Sequence, residues 1–516
     1  MMEFILPAIG HLFEPLNIFL MVLGLTGGII VGALPGLTAT MGVALMVPAT
    51  FAMDATSGLI MLGAIYVGAI YGGSNSACLI CTPGTPSSVA TTFDGWPLCK
   101  SGHADIGLNT SLLSSVFGGI VGTVFLLLLA APLARFALQF GGPENFWLCI
   151  FGLSTIAVMS SGNIVKGLLG GAIGLTVATI GIDPNEGVPR FTFGYYPLIQ
   201  GVEVIPAMIG LFSFSQVLTL IGSYKPFIAD YKPTAGALRH VVSALVGRCK
   251  VILLRSSIIG TLVGMLPGAG GEIASIIAYN EAKRWDKHPE RYGTGVIEGV
   301  AASESANNAV IGGALIPMLT LGIPGSAVAA VILGALLAKG IQPGFKVFTA
   351  TGDLAYTFIM SQFAVNLLLI PIGLVLARIM TKLLSIRLTY VAIGIVVLSV
   401  IGAYAIRNSM LDVWIVLAFG FIGYFSNLVG LDTGAMALGI ILGPMIEENL
   451  GRCVHLSKAS GGSVINVFFE SPIAVLLMVL TALSLLTPLF LDWKRKRMEA
   501  KCACAPTSLK EGPPDA

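Results

Sequence analysis

Charge is what this chain is short of. Only 10% of its 516 residues are Asp, Glu, Lys or Arg, against about 25% in a soluble domain, and that deficit excludes an ordinary soluble protein. No Lys or Arg precedes Lys100, so Met1 to Pro15 lacks the basic segment of a cleaved signal peptide, and the first apolar stretch is expected to stay in the chain. The formal charge of +2 is carried in short basic clusters beside apolar tracts, which gives no basic face for nucleic acid. The eight cysteines build no framework. Cys78 and Cys81 share a C-x-x-C spacing, but no second Cys or His pair completes a zinc site; Cys502 and Cys504 lie in the polar tail. There is no H-E-x-x-H and no phosphate loop G-x-x-x-x-G-K-[ST]. The five histidines, His11, His103, His240, His288 and His455, are too scattered for a metal site. No cofactor is expected, and energy for uphill work has to come from an ion gradient or another subunit.

What the chain has instead is apolar length. Tracts free of all four charged residue types run over 15–53, 55–93, 106–134, 145–165, 204–224, 305–338, 354–377, 388–406, 413–431 and 471–491. About 20 apolar residues cross the hydrocarbon core as a helix. These tracts do not alternate polar and apolar as barrel strands do, and lipid leaves the backbone no partner outside its own segment, so helices are expected. The fold class is an all-α polytopic membrane protein of about 11–12 transmembrane helices.

Part of the sequence repeats. Gly28 to Gly36 (GIIVGALPG) aligns with Gly260 to Gly268 (GTLVGMLPG), six of nine positions being identical at an offset of 232. Gly72-Gly73 and then Pro83-Gly84-Thr85 match Gly312-Gly313 and then Pro324-Gly325-Ser326, with spacing one residue different. Transporters are often built from two such halves. The tracts 15–53 and 55–93 are each 39 residues long, nearly twice one span, so each must turn inside the membrane. Pro35-Gly36 and Pro83-Gly84 are the natural breaks, since proline removes a helix donor and glycine permits backbone shapes that a helix forbids.

Charge orients these pieces. Arg239, Arg248, Lys250 and Arg255 precede the second copy and Lys283, Arg284, Lys287 and Arg291 follow it, so both flanks are expected on the cytoplasmic side, with a re-entrant hairpin broken at Pro267-Gly268 between them. The first copy, flanked only by Glu3, Glu14 and Asp54, is expected to open outward. An odd number of crossings between the hairpins makes the repeats inverted. The expected division is a first repeat at 1–225, a cytoplasmic connector at 226–250, a second repeat at 251–492 and a cytoplasmic polar tail at 493–516.

Helix breaks in a membrane free main-chain N–H and C=O groups, which is tolerable where they line a cavity or meet a ligand. Half-helix N-termini then attract an anion and C-terminal ends offer carbonyls to Na⁺. The candidate site residues are therefore Pro35, Gly36, Pro83, Gly84, Pro267, Gly268, Pro324 and Gly325 at the breaks. Beside them stand the neutral donors Ser74, Asn75, Ser76, Thr82, Thr85, Ser87, Ser88, Asn307, Asn308, Thr320 and Ser326. Glu272 and Glu304 adjoin breaks in the second half and are candidate coupling carboxylates for a proton or Na⁺. Small and hydroxyl residues also simply let helices pack closely. Asp54 and Asp432 read as loop markers, and Arg407 as a helix-end side chain or a partner for an anion. The function read from these residues is gradient-driven transport of a small solute, a carboxylate, with a membrane enzyme or a passive channel as the alternatives.

The stretches Gly32-Ala33-Leu34-Pro35-Gly36, Ile70-Tyr71-Gly72-Gly73-Ser74, Thr82-Pro83-Gly84-Thr85-Pro86 and Asp94-Gly95-Trp96-Pro97 resemble the TctA-type large membrane subunit of the tripartite tricarboxylate transporters. So do Glu298 to Ala302 (EGVAA), Ala306-Asn307-Asn308, Leu315-Ile316-Pro317 and Leu321 to Ser326 (LGIPGS). The resemblance spans roughly residues 15–490. It implies a bacterial inner-membrane permease working with a small TctB-type membrane subunit and a periplasmic TctC-type solute-binding protein, taking up a tricarboxylate or related carboxylate by symport with Na⁺ or H⁺. Two positions depart from the family pattern: Cys81 precedes Thr82-Pro83-Gly84, and Ser303-Glu304-Ser305 stands where a proline-containing run is commoner.

Overall fold

The computed structural model describes residues 2–159, 164–220, 231, 234, 236–268, 270–384 and 388–486. The chain opens with α1 (Met2–Leu12) and α2 (Pro15–Ala33), breaks, and resumes as α3 (Ala39–Phe51) and α4 (Ala55–Ile80). After a second break, a tight turn at Pro86–Ser88 leads into α5 (Val89–Leu98), followed by α6 (Ala104–Phe136), α7 (Gly142–Met159) and α8 (Ile164–Ala178). A two-residue antiparallel pair, β1 (Gly181–Ile182) on β2 (Pro189–Arg190), precedes α9 (Val204–Met208) and α10 (Ser215–Leu220). The expected connector carries α11 (Ala237–Gly247). Then α12 (Lys250–Gly264), a break, α13 (Gly270–Trp285), α14 (Ile297–Leu321), another break and α15 (Ala327–Ala338) repeat the opening order. They are followed by α16 (Phe345–Thr349), α17 (Gly352–Leu384), α18 (Leu388–Arg407), α19 (Met410–Val429), α20 (Thr433–Ser460) and α21 (Val464–Glu470). The last bends by 101° into Pro472–Leu486. The expected tail, 493–516, with Cys502 and Cys504, lies outside the described residues, as does the part of the connector at 226–230.

By length and composition, six helices among the described residues can cross a membrane, or seven if the bent pair is one span. Apolar helices of 10–17 residues account for much of the difference from the expected 11–12. The breaks and kinks divide what reads in sequence as whole spans. Outward-facing side chains on α18 and α19 include Ile393, Val397, Ile401, Trp414, Phe421 and Phe425, the surface a lipid-facing helix needs. The protein is a multi-pass α-helical membrane protein.

Two helices are covered on every side. In α4 each residue from Ser57 to Ile80 is buried, and in α14 each from Ile297 to Thr320. A helix shielded from lipid all round can carry polar groups toward its neighbours. The close packing that covers α4 rests on missing Cβ atoms: one added at Gly28 or Gly32 of α2 would run into the carbonyl of Ile65 or Ala69. In α12, a Cβ at Gly260 or Gly264 would meet the carbonyl of Ala306 or Val310. The glycines are 232 residues apart and their partners 241. By these contacts Gly72, against Ile29 and Ala33, matches Gly313, against Thr261 and Gly264. The sequence pairing of Gly72 with Gly312 is one residue short of that 241-residue spacing.

Candidate functional site

The four candidate Pro-Gly pairs fall between helices. Pro35-Gly36 separates α2 from α3 and Pro83-Gly84 follows α4, while Pro267-Gly268 separates α12 from α13 and Pro324-Gly325 separates α14 from α15. Gly36 and Gly268 take positive φ, 85° and 78°, which glycine adopts without steric cost. Corresponding straps hold the later break of each half: Gly84 N–H donates to the Gly73 carbonyl at 3.1 Å, and Gly325 N–H to that of Ala314 at 3.3 Å. Gly268 N–H donates to the Gly325 carbonyl at 3.1 Å, tying the two breaks of the second half together.

The chain restarts around one cavity of about 410 Å³. Thr38, Ala39 and Thr40 at the start of α3 line it, as do Gly270, Gly271 and Glu272 at the start of α13, 232 positions on. Thr85, Pro86 and Ser87 face it with Ser326, Ala327 and Val328, 241 positions on, and so do Tyr66 and Asn307, again 241 apart. A further helix start, Asp432-Thr433-Gly434 of α20, closes the wall with Ser215, Gln216 and Asn427. Local capping fixes these starts. Thr38 Oγ1 accepts from Met41 N–H at 3.1 Å, Ser326 Oγ from Ala329 N–H at 3.2 Å and Asp432 Oδ1 from Gly434 N–H at 2.7 Å. Tyr66 Oη and Ser326 Oγ, 2.9 Å apart, join the first half to the second.

The electrostatics of the cavity are mixed. The partial positive charge of several helix N-termini faces the same space. Among the described residues lining it there is no Lys, Arg or His, but there are the carboxylates of Glu272 and Asp432. Asn307 is 1% exposed, and its amide, beside the Glu304 carboxylate, makes no hydrogen bond of ordinary length to the described residues. A buried amide left in that state costs about 1–3 kcal/mol per group, so a polar ligand in the cavity has a ready partner.

A second polar cluster lies behind Asn307. Ser74 Oγ of α4 donates to Glu304 Oε2 at 2.5 Å and Ser115 Oγ of α6 to the same oxygen at 3.0 Å, while Thr91 Oγ1 of α5 donates to Glu304 Oε1. Ser303 Oγ lies 3.2 Å from Thr91 Oγ1. Every one of these side chains is fully buried.

The other candidates divide as follows. Thr85, Gly268, Glu272, Asn307 and Ser326 line the cavity with Ser87, whereas Pro35, Gly36, Pro83, Gly84, Pro267, Pro324 and Gly325 shape the breaks without lining it. Ser76 Oγ donates to the Gly73 carbonyl at 2.9 Å, Asn308 Nδ2 to that of Glu304 at 3.3 Å, and Thr82, at the exposed end of α4, to that of Ile80. Asn75 is buried with both amide atoms unpartnered, outside the cavity wall. Thr320 back-bonds to Ile316 and Ser88 to Thr85. Arg407 is not in the wall: it pairs with Asp412 and Glu203. Sequence reading passed over Thr38 and Tyr66 and took Asp432 for a loop marker. The offsets alone carry Thr38 to Gly270 and Tyr66 to Asn307, and Asp432 begins an Asp-Thr-Gly cap signal that reads equally as a loop.

Broken helices that restart around one cavity among membrane helices are the construction of a solute transporter. The family model of the tripartite tricarboxylate transporter TctA family matches residues 18–438, and the chain belongs to that family, a family of transporters and not of enzymes. It is similar to two proteins of Agrobacterium vitis. It is 36% identical over 469 residues to the "uncharacterized 52.8 kDa protein in TAR-I ttuC' 3'region", covering 90% of this chain and 91% of that one. It is 38% identical over 238 residues to the "uncharacterized protein in TAR-II ttuC' 3'region", covering 46% of this chain and 97% of that one. No solved structure matches.

Proposed function

We propose that this subunit of a tripartite tricarboxylate transporter is the large permease of a secondary uptake system in the bacterial inner membrane, its C-terminus in the cytoplasm. It takes up a tricarboxylate or related carboxylate together with Na⁺ or H⁺. A periplasmic TctC-type binding protein delivers the solute, and a small TctB-type subunit completes the membrane part. The halves 1–225 and 251–492 act as inverted copies whose helix starts hold the solute between them, one moving against the other.

The observation that carries this reading is the cavity itself: starts of α3 and α13, and of the segments after both later breaks, face it in pairs, with the buried amide of Asn307 in its wall. Main-chain dipoles and a neutral amide hold carboxylate without burying a permanent cation. Glu272 and Asp432 in the same wall repel a bare anion, which favours a cation or proton entering with it.

The test is uptake of labelled carboxylates into proteoliposomes, with and without a Na⁺ gradient, a pH gradient and the binding protein. Asn307→Ala is expected to lower uptake at least tenfold at unchanged membrane level, consistent with the about 1–3 kcal/mol of one buried hydrogen bond. Normal uptake by that variant removes Asn307 from the site. Uptake indifferent to every gradient refutes coupling and leaves a passive channel.

A further inference from the structure

The hydroxyl cage around Glu304 is not needed to hold an anion, since Glu304 does not line the cavity. It is a carboxyl group two turns into α14, at a seam: its three hydroxyl donors, Ser74, Thr91 and Ser115, all come from the first half of the chain. Among the described residues no cationic side chain pairs with it. An unpaired carboxylate buried at membrane depth is retained where a proton or ion passes.

Resting on the permease reading, we propose that Glu304 is the proton-binding group of the transport cycle and that Asn307 couples it to the anion in the cavity. Hydroxyls suit a group that changes charge. Each can donate to the carboxylate, and each has lone pairs to accept from the carboxylic acid once a proton sits on Oε1 or Oε2. Loading the proton reverses at least one of the three bonds across the seam, and unloading restores it. Asn307 lies one helical turn further along α14, beside the Glu304 carboxylate, and also lines the cavity. An anion held there raises the proton affinity of Glu304 by like-charge repulsion. By linkage the proton raises the affinity for the anion to the same degree.

The charges that bear on this titration are few. From α4, the titratable groups that stand near Glu304 are the Tyr71 hydroxyl and the Cys78 thiol. On α5, Asp94 accepts from Tyr279 and from the N–H groups of Gly293, Gly295 and Val296. Arg255 of α12 donates to the Glu281 carbonyl, Asp105 of α6 accepts from Ile106 and Thr234, and Lys346 of α16 is exposed. On α13, Glu272 is exposed in the first turn and Tyr279 is buried, with Glu281, Lys283 and Arg284 toward the C-terminal end, and Glu298 on the first turn of α14 pairs with Arg248.

The experiment uses the full-length chain in proteoliposomes, with the binding protein and small subunit in every arm, and compares pH-driven accumulation of labelled carboxylate with exchange across equal concentrations. For Glu304→Gln, the ratio of accumulation to exchange is expected to fall at least tenfold. The infrared carboxylic-acid band that appears when the wild type binds carboxylate is expected to vanish. A second variant, Thr91→Val with Ser115→Ala, takes two donors from the ionised form and is expected to move the pH profile of uptake upward by about one unit; it carries the test if Glu304→Gln fails to reach the membrane. Wild-type accumulation that follows Na⁺ and ignores pH overturns the proposal and leaves the permease reading standing, as does an unmoved pH profile in the double variant. A wild type that neither exchanges nor accumulates carboxylate overturns both.

Discussion

Gly264→Ala probes the packing that seats the cavity. A Cβ on Gly264 would lie 2.7 Å from the Val310 carbonyl oxygen, 3.0 Å from Val310 Cα and 3.2 Å from Gly313 Cα, where ordinary contact begins at 3.4 Å. All three are main-chain atoms, so no side chain can swing away, and α12 must part from α14 by about 0.7 Å. Overpacking of this kind costs about 1–3 kcal/mol. The carbonyl of Gly264 is also what Gly325 packs on, so the displacement reaches the break that carries Ser326, while Val310 itself is in the cavity wall. A misplacement near 1 Å at a binding site costs on the order of 10²-fold. Gly264→Ala is therefore expected to lower uptake tenfold or more and the unfolding midpoint in detergent by several degrees. The control is Gly27→Ala in α2, where an added Cβ meets nothing within 4 Å and the helix gains up to about 1 kcal/mol. A Gly264→Ala protein as stable and as active as Gly27→Ala would refute the claim that close main-chain contact sets the site.

Cys81 ends α4 in the left-handed region, φ 54°, where the residue 241 positions on is Gly322, φ 72°. Cys81→Gly is expected to stabilise the protein by about 1 kcal/mol, read as a higher unfolding midpoint; a lower one contradicts the strain. Arg407 grips the fully buried Asp412 through Nη2 at 2.5 Å and Nε at 3.0 Å. Arg407→Ala is expected to cost about 3–5 kcal/mol by stranding a buried carboxylate, and adding Asp412→Asn should restore part of it. In the loop after β1, the backbone N–H groups of Asn185 and Glu186, with Arg190 nearby, hold the Asp183 carboxyl below its ordinary 3.8. That contribution is in place above about pH 4 and lost as pH falls through the lowered value. Hydrogen exchange at Asn185, corrected for intrinsic rate, should show protection that Asp183→Asn loses at pH 7 and the wild type loses only below about pH 4.

The membrane class was legible because lipid tolerates little charge, and a chain with 10% charged residues has few other folds open to it. The breaks were legible too, since proline and glycine act on their own backbone whatever surrounds them. Glu304 and Asn307 could be marked as polar residues in an apolar tract, but not told apart in role. Their positions, three apart on α14, put one in a hydroxyl cage and the other in the cavity wall, and the choice belongs to side chains supplied from α4, α5, α6 and α13. Thr38 and Tyr66 escaped notice, and Asp432 read as a loop marker, because nothing local distinguishes a capping or packing residue from one that lines a cavity. Local chemistry, a missing donor or a missing Cβ, was written in the sequence. Which helix starts share one space was decided only by packing between residues hundreds of positions apart.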